Sequence, residues 1–130
     1  MKIFNSERGP KPIGPYSQAV ISGNLIFVSG QIPIDPATGN ICGFSIEQQA
    51  ERVFENIKAI LEDAGSGLNR VVMVTVMMIN LNEYQRMNNI YAKYFGEIPP
   101  ARVVFQAARL PKDVKIEVSV IAELGGTEEA

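Results

Sequence analysis

The sequence predicts an α+β domain in which two helices cover one face of a single sheet. Three observations carry this. Residues 45–64 and 82–95 repeat apolar side chains at helical spacing. Short β-branched or alternating stretches lie before, between and after them, giving the order β-β, helix, β, helix, β-β. A chain of 130 residues, 46% hydrophobic and 20% charged, has the length and composition of one globular domain and excludes disorder.

The chain opens with Met1 to Arg8, which has no apolar signal core. Gly9-Pro10-Lys11-Pro12-Ile13-Gly14-Pro15 is loop by composition and delivers Tyr16 to a strand over Ser17–Ile21. Ser22-Gly23-Asn24 is a tight hairpin turn leading to a strand over Leu25–Ser29. Gly30 after Ser29 marks a bend or bulge, and Asp35-Pro36-Ala37-Thr38-Gly39 a further turn. Ser45 with Gln48 forms a capping box for the first helix, whose stripe is Ile46, Ala50, Val53, Phe54, Ile57, Ile60, Leu61 and Ala64. Gly65 ends that helix.

Val71 to Leu81 is almost continuously apolar and rich in β-branched residues, so it reads as a strand covered on both faces. Helices cover one face; a chain this short has no third layer for the other, which points to a partner subunit. A central strand in a small, well-wrapped monomer is the alternative. Asn82, with Gln85 three residues on, is placed as the cap of the second helix; Tyr84, Met87, Ile90, Tyr91 and Tyr94 form its buried stripe, and Gly96 stops it. The tail from Gly125 to Ala130 is expected to fray.

Composition removes several kinds of chemistry. There is no histidine, so neither a Ser-His triad nor a His-based metal site can be built. The net charge is −2, and no basic run advertises nucleic-acid binding. No apolar stretch approaches the ~20 residues of a membrane span. Cys42 is the only cysteine, which leaves no internal disulfide and fits a reducing cytoplasm.

What remains for chemistry concentrates near the C-terminus. Pro99-Pro100-Ala101 is a stiff lead into Arg102, at the start of an apolar strand over Val103–Ala108. Leu110-Pro111-Lys112-Asp113 reads as a turn, followed by the alternating strand Val114–Val120 with Glu117 in its middle. Taken as a hairpin, these strands place Gln106 opposite Glu117 and Arg102 opposite Ile121. Arg102, Val104 and Gln106 then share a face with Glu117 and Ser119, while Val103, Phe105, Ala107, Ile116, Val118 and Val120 face the core. Arg102 and Glu117 are four residues apart along this ladder, roughly 13 Å. A small ligand spans less than that, so the two are expected to meet across a subunit boundary. On residue types alone, a face with one arginine and one acid is most often a solvated surface.

Pro100-Ala101-Arg102 with Ala108-Arg109-Leu110-Pro111-Lys112-Asp113-Val114-Lys115-Ile116-Glu117 closely resembles the C-terminal signature of the RidA (YjgF) family, the reactive enamine/imine deaminases. The resemblance continues in Ile13-Gly14-Pro15-Tyr16-Ser17-Gln18-Ala19, in Val28-Ser29-Gly30-Gln31-Ile32-Pro33 and in Asn88-Asn89-Ile90-Tyr91, in the family's order and over nearly the whole chain. It implies a chorismate-mutase-like fold: one mixed six-stranded sheet with two helices on one face, three subunits closing around a central barrel, and clefts between subunits.

The resemblance also implies roles. Arg102 takes the place of the arginine that binds the substrate carboxylate, and Glu117 that of the acid that orients and activates water. Tyr16 lines the pocket. Ser29 and Gly30 meet the ligand with hydroxyl and backbone, and Asn88 matches an asparagine of the second helix. Val104 stands where many members carry cysteine; the backbone there is the part that contacts ligand, and no thiol is available. The short link from Tyr94 to Arg102 is a second departure and alters the pocket rim.

The implied reaction is hydrolysis of 2-imino or enamine acids such as 2-iminobutanoate and 2-iminopropanoate, with neither metal nor cofactor. Two other readings stay open: a regulatory trimer that binds small carboxylates without turnover, and an endoribonuclease, an activity also attached to the family. The missing basic groove and acid/base pair argue against the latter.

Overall fold

The computed structural model describes residues 1–125. Its elements are β1 (Lys2–Phe4), β2 (Ala19–Ser22), β3 (Leu25–Gln31), α1 (Ile46–Asp63), β4 (Val71–Met78), α2 (Tyr84–Phe95), β5 (Ala101–Gln106) and β6 (Ile116–Glu123). The strands form one sheet in the order β1-β2-β3-β6-β4-β5. Only β4 and β5 pair in parallel, so the sheet is mixed. The sixth strand is β1, which uses three residues of the N-terminal stretch to pair with β2. Residues 126–130, most of the tail expected to fray, lie outside the described residues; Gly125 itself donates its N–H to the Gly65 carbonyl.

α1 forms as the sequence dictates. Ser45 accepts from the Gln48 N–H, and the Gln48 side chain accepts from the Ser45 N–H. Its stripe is fully buried from Ile46 to Leu61, and Gly65 takes φ +85° to leave the helix. α2 starts later than the sequence implies. Asn82 makes no cap; Asn80 does, accepting from the Asn82 N–H and opening a 3₁₀ turn over Leu81–Glu83. Tyr84 is then the first residue of the helix and is 38% exposed rather than buried.

The two helices run parallel on one face of the sheet. Arg86 clamps the Glu47 carboxylate through two hydrogen bonds of 2.8 and 2.7 Å, holding that carboxyl down to about 2. Tyr94 Oη donates to Glu55 at 2.8 Å one span further along. Beneath them Phe54 packs against Tyr91, Tyr94 and Phe95, sealing the core over Val74, Val76, Met78, Ile116, Val118 and Val120. Among the described residues no helix is long and apolar enough to cross a membrane.

The hairpin expected between the last two strands does not form. β5 pairs only with β4, and β6 lies between β3 and β4, so β4 separates the two. Connecting residues 107–115 pass over the end of β4, with Leu110 and Val114 buried against Ile32 and Ile34 in a second, smaller core. Lys112 and Asp113 both take φ 56° to make this crossing.

The new neighbour also changes the faces. Val74 sits opposite Arg102 and Val76 opposite Val104, which puts Arg102, Val104 and Gln106 on the helix side. Glu117 sits opposite Met77 and Ser119 opposite Thr75, on the other side with Val103 and Phe105. Val103 and Phe105 are therefore not core: they are 47% and 44% exposed. Ile3, Phe27, Met73, Met77 and Ile121 continue the same apolar face: Ile3 and Phe27 are exposed, and the other three are half-buried, Met77 against the second core.

Candidate functional site

The candidate residues fall into two clusters on these faces. The first surrounds Glu117. β3 carries a bulge in which Ser29 and Gly30 together oppose Ser119, because Val28 pairs with Val120 and Gln31 with Val118. The bulge lowers Gly30 onto Glu117 so closely that a Cβ at position 30 would collide with the Glu117 carboxylate. Glycine is thus required here by space. Ser29 Oγ donates to the Ser17 carbonyl at 2.6 Å, and its N–H donates to the Gln18 carbonyl at 3.0 Å. These bonds tie the loop that holds Tyr16 to the bulge. Tyr16 Oη accepts from the Ile13 N–H at 3.2 Å, which lays the ring along the pocket wall.

Ile13, Tyr16, Ser29, Gly30, Ile32, Pro111 and Glu117 enclose a cavity of about 290 Å³. Its walls are mainly apolar, and burial pushes the Glu117 carboxyl above the usual carboxylate range. Among the described residues Glu117 has no hydrogen-bond or ion-pair partner. The cavity therefore holds a half-buried carboxylate with free lone pairs beside a hydroxyl and a bulged backbone.

The second cluster surrounds Arg102, on the edge strand β5 and on the opposite face. Arg102 Nη1 donates to Asn88 Oδ1 and Nη2 to Tyr84 Oη, each at 2.8 Å. The guanidinium carbon lies 4.6 Å from the Tyr91 ring centroid and 5.6 Å from that of Tyr84. Tyr84, Asn88 and Tyr91 occupy positions i, i+4 and i+7 of α2, one helical face turned toward the arginine. Val104, two residues beyond Arg102, packs half-buried on the core.

Within one protomer the structure brings Tyr16, Ser29, Gly30 and Glu117 together, and separately Asn88, Arg102 and Val104. It does not bring the two groups to one cleft. Sequence reasoning missed Tyr84 and Tyr91 as neighbours of Arg102, because a periodic stripe marks a buried face without saying which polar group lies at its margin. The 84/88/91 spacing was the available signal.

This combination of a mixed six-stranded sheet with a parallel pair of helices defines a fold class. Residues 6–124 match the family model described as Endoribonuclease L-PSP. A RutC family protein of Pyrococcus abyssi is 58% identical over 121 residues, covering 93% of this chain and 95% of that protein. The chloroplastic reactive intermediate deaminase A of Arabidopsis thaliana is 41% identical, covering 95% of this chain and 66% of that protein. The crystal structure of E. coli TdcF with bound serine superposes with a TM-score of 0.90 at 41% identity, covering 95% of this chain and 98% of that one. The chain belongs to the L-PSP family, the RidA (YjgF) group that its C-terminal motif resembles.

Proposed function

We propose that the protein is a deaminase that hydrolyses small 2-imino acids, 2-iminobutanoate and 2-iminopropanoate among them, to 2-oxo acids and ammonia. The observation that carries this reading is Glu117: a half-buried carboxylate without a partner, raised in pKa by burial alone, in an apolar-walled cavity. An imine carbon is already electrophilic, and protonation of its nitrogen makes it more so. The chain then has to bind the carboxylate, place one water and move one proton.

Arg102 takes the substrate carboxylate through its planar fork. Glu117 accepts a proton from water as the oxygen attacks C2, giving a tetrahedral carbinolamine. The proton on Glu117 passes to the departing nitrogen, the C–N bond breaks as the carbonyl forms, and the hydroxyl proton goes to the released ammonia, leaving ammonium, the 2-oxo acid and an ionised Glu117. Ser29, Gly30 and Tyr16 shape the wall around the reacting carbon, and Asn88 and Val104 belong to the arginine side. The serine held by TdcF is an amino acid whose carboxylate is of the kind Arg102 suits.

Arg102 and Glu117 lie on opposite faces of one sheet, two strands apart. A complete site therefore needs a second copy of the chain, with Arg102 at the edge of one protomer reaching the Glu117 cavity of the next. The apolar face bearing Phe27, Val103 and Phe105 gives the copies a surface to bury. A closed ring of three satisfies both requirements. Light scattering of the purified protein at low micromolar concentration should return three times the chain mass; a monomer would contradict both the ring and the shared site.

The direct assay is ammonia release from 2-iminobutanoate generated in the cuvette. Release faster than the spontaneous rate, proportional to protein, supports the deaminase. Binding of the 2-oxo acid without accelerated release would make the protein a carboxylate-binding trimer instead.

A further inference from the structure

Arg102 is held by neutral groups only. Asn88 Oδ1 and Tyr84 Oη each accept one of its hydrogens, and the Tyr91 and Tyr84 rings flank the guanidinium. Among the described residues no carboxylate pairs with it, although Arg8, Arg86 and Arg109 all form ion pairs. Neutral acceptors orient a cation without cancelling its charge, so the full attraction stays available to a ligand. A guanidinium carries five N–H groups. With one hydrogen of each terminal nitrogen used, three remain, enough for one bidentate edge.

We propose that Tyr84 is a positioning residue for carboxylate recognition: its hydroxyl fixes the rotation of the Arg102 fork so that a single edge faces the ligand. This rests on the reading of Arg102 as the carboxylate site. Asn88 alone leaves the fork free to pivot about one bond. Tyr91 contributes differently: its ring lies under the guanidinium, and its buried hydroxyl, close enough to feel the Arg102 charge, does not meet the geometry of a hydrogen bond, whereas Tyr84 Oη accepts at 2.8 Å. Tyr84 stands at the exposed first position of α2, next to the 3₁₀ turn capped by Asn80, and can be altered there without opening the core.

Tyr84→Phe keeps the ring and removes the acceptor. Titration of the purified full chain with 2-oxobutanoate, a stable 2-oxo acid, should show affinity about tenfold weaker than for the native protein. KM for 2-iminobutanoate should rise by a similar factor, while kcat at saturation stays within about twofold because Glu117 is untouched. The melting temperature should not move. Unchanged affinity in Tyr84→Phe would overturn the positioning role alone. A fall in kcat with KM unchanged, or a lowered melting temperature that accounts for the loss, would overturn it in favour of a structural role. Native protein that binds no 2-oxobutanoate would overturn the carboxylate reading itself, and this inference with it.

Discussion

Glu117→Gln is expected to bind a 2-oxo acid as the native protein does and to turn over 2-iminobutanoate at least about 10²-fold more slowly. The amide keeps the shape and one acceptor but cannot take a proton from water. The same substitution should change the pH dependence in a defined direction. Burial raises the Glu117 carboxyl, so the acid limb of kcat/KM should fall above the ordinary carboxylate range and disappear in the variant. Stability should move the opposite way. A carboxyl whose folded pKa is raised opposes folding when ionised, above that pKa, and ceases to do so as pH falls through it. Glu117→Gln should therefore melt at or above the native temperature at neutral pH, with the difference vanishing in acid. Binding and turnover falling together would instead place Glu117 in the binding shell or the fold.

Arg102→Lys should lose about 2–3 kcal/mol of transition-state binding, read in kcat/KM on imino acids. Lysine preserves the charge but offers a single point where arginine offers a fork, and it leaves Asn88 Oδ1 and Tyr84 Oη without their shared donor. The loss should appear in 2-oxobutanoate affinity as well, because the contact is made before the reaction and kept through it. Near-native kinetics would remove Arg102 from the site.

Local signals in the sequence were read correctly where one residue type has one physical solution. The Ser45–Gln48 box, the positive φ of Gly65 and the bulge at Gly30 are of this kind, and the α1 stripe followed from period alone. The apolar run from Val71 announced a strand with apolar side chains on both faces, and β4 has them, buried on the helix side and half-buried or exposed on the other. Pairing was not legible. Residues 107–115 look like a hairpin loop, but a loop of that length can also cross an intervening strand, and nothing local distinguishes the two. The buried contacts of Leu110 and Val114 with Ile32 and Ile34 decide it, and they are long-range. The face of Glu117 was right on alternation within its own strand; that of Arg102 was wrong because it depended on the partner strand. The expected separation of the two residues survives for a different reason: they stand on opposite faces of one sheet.

That separation makes the shared cleft the central claim. Arg102→Ala and Glu117→Ala should be prepared separately, each shown to be inactive and of native mass, then unfolded and refolded together in equal amounts with subunit exchange verified by a mass tag. In a cyclic trimer whose sites take Arg102 from one protomer and Glu117 from the next, random mixing leaves roughly a quarter of the sites with both native residues. Deaminase activity should recover to about that fraction of the native value. A mixture that exchanges subunits and stays inactive would contradict a site shared between protomers.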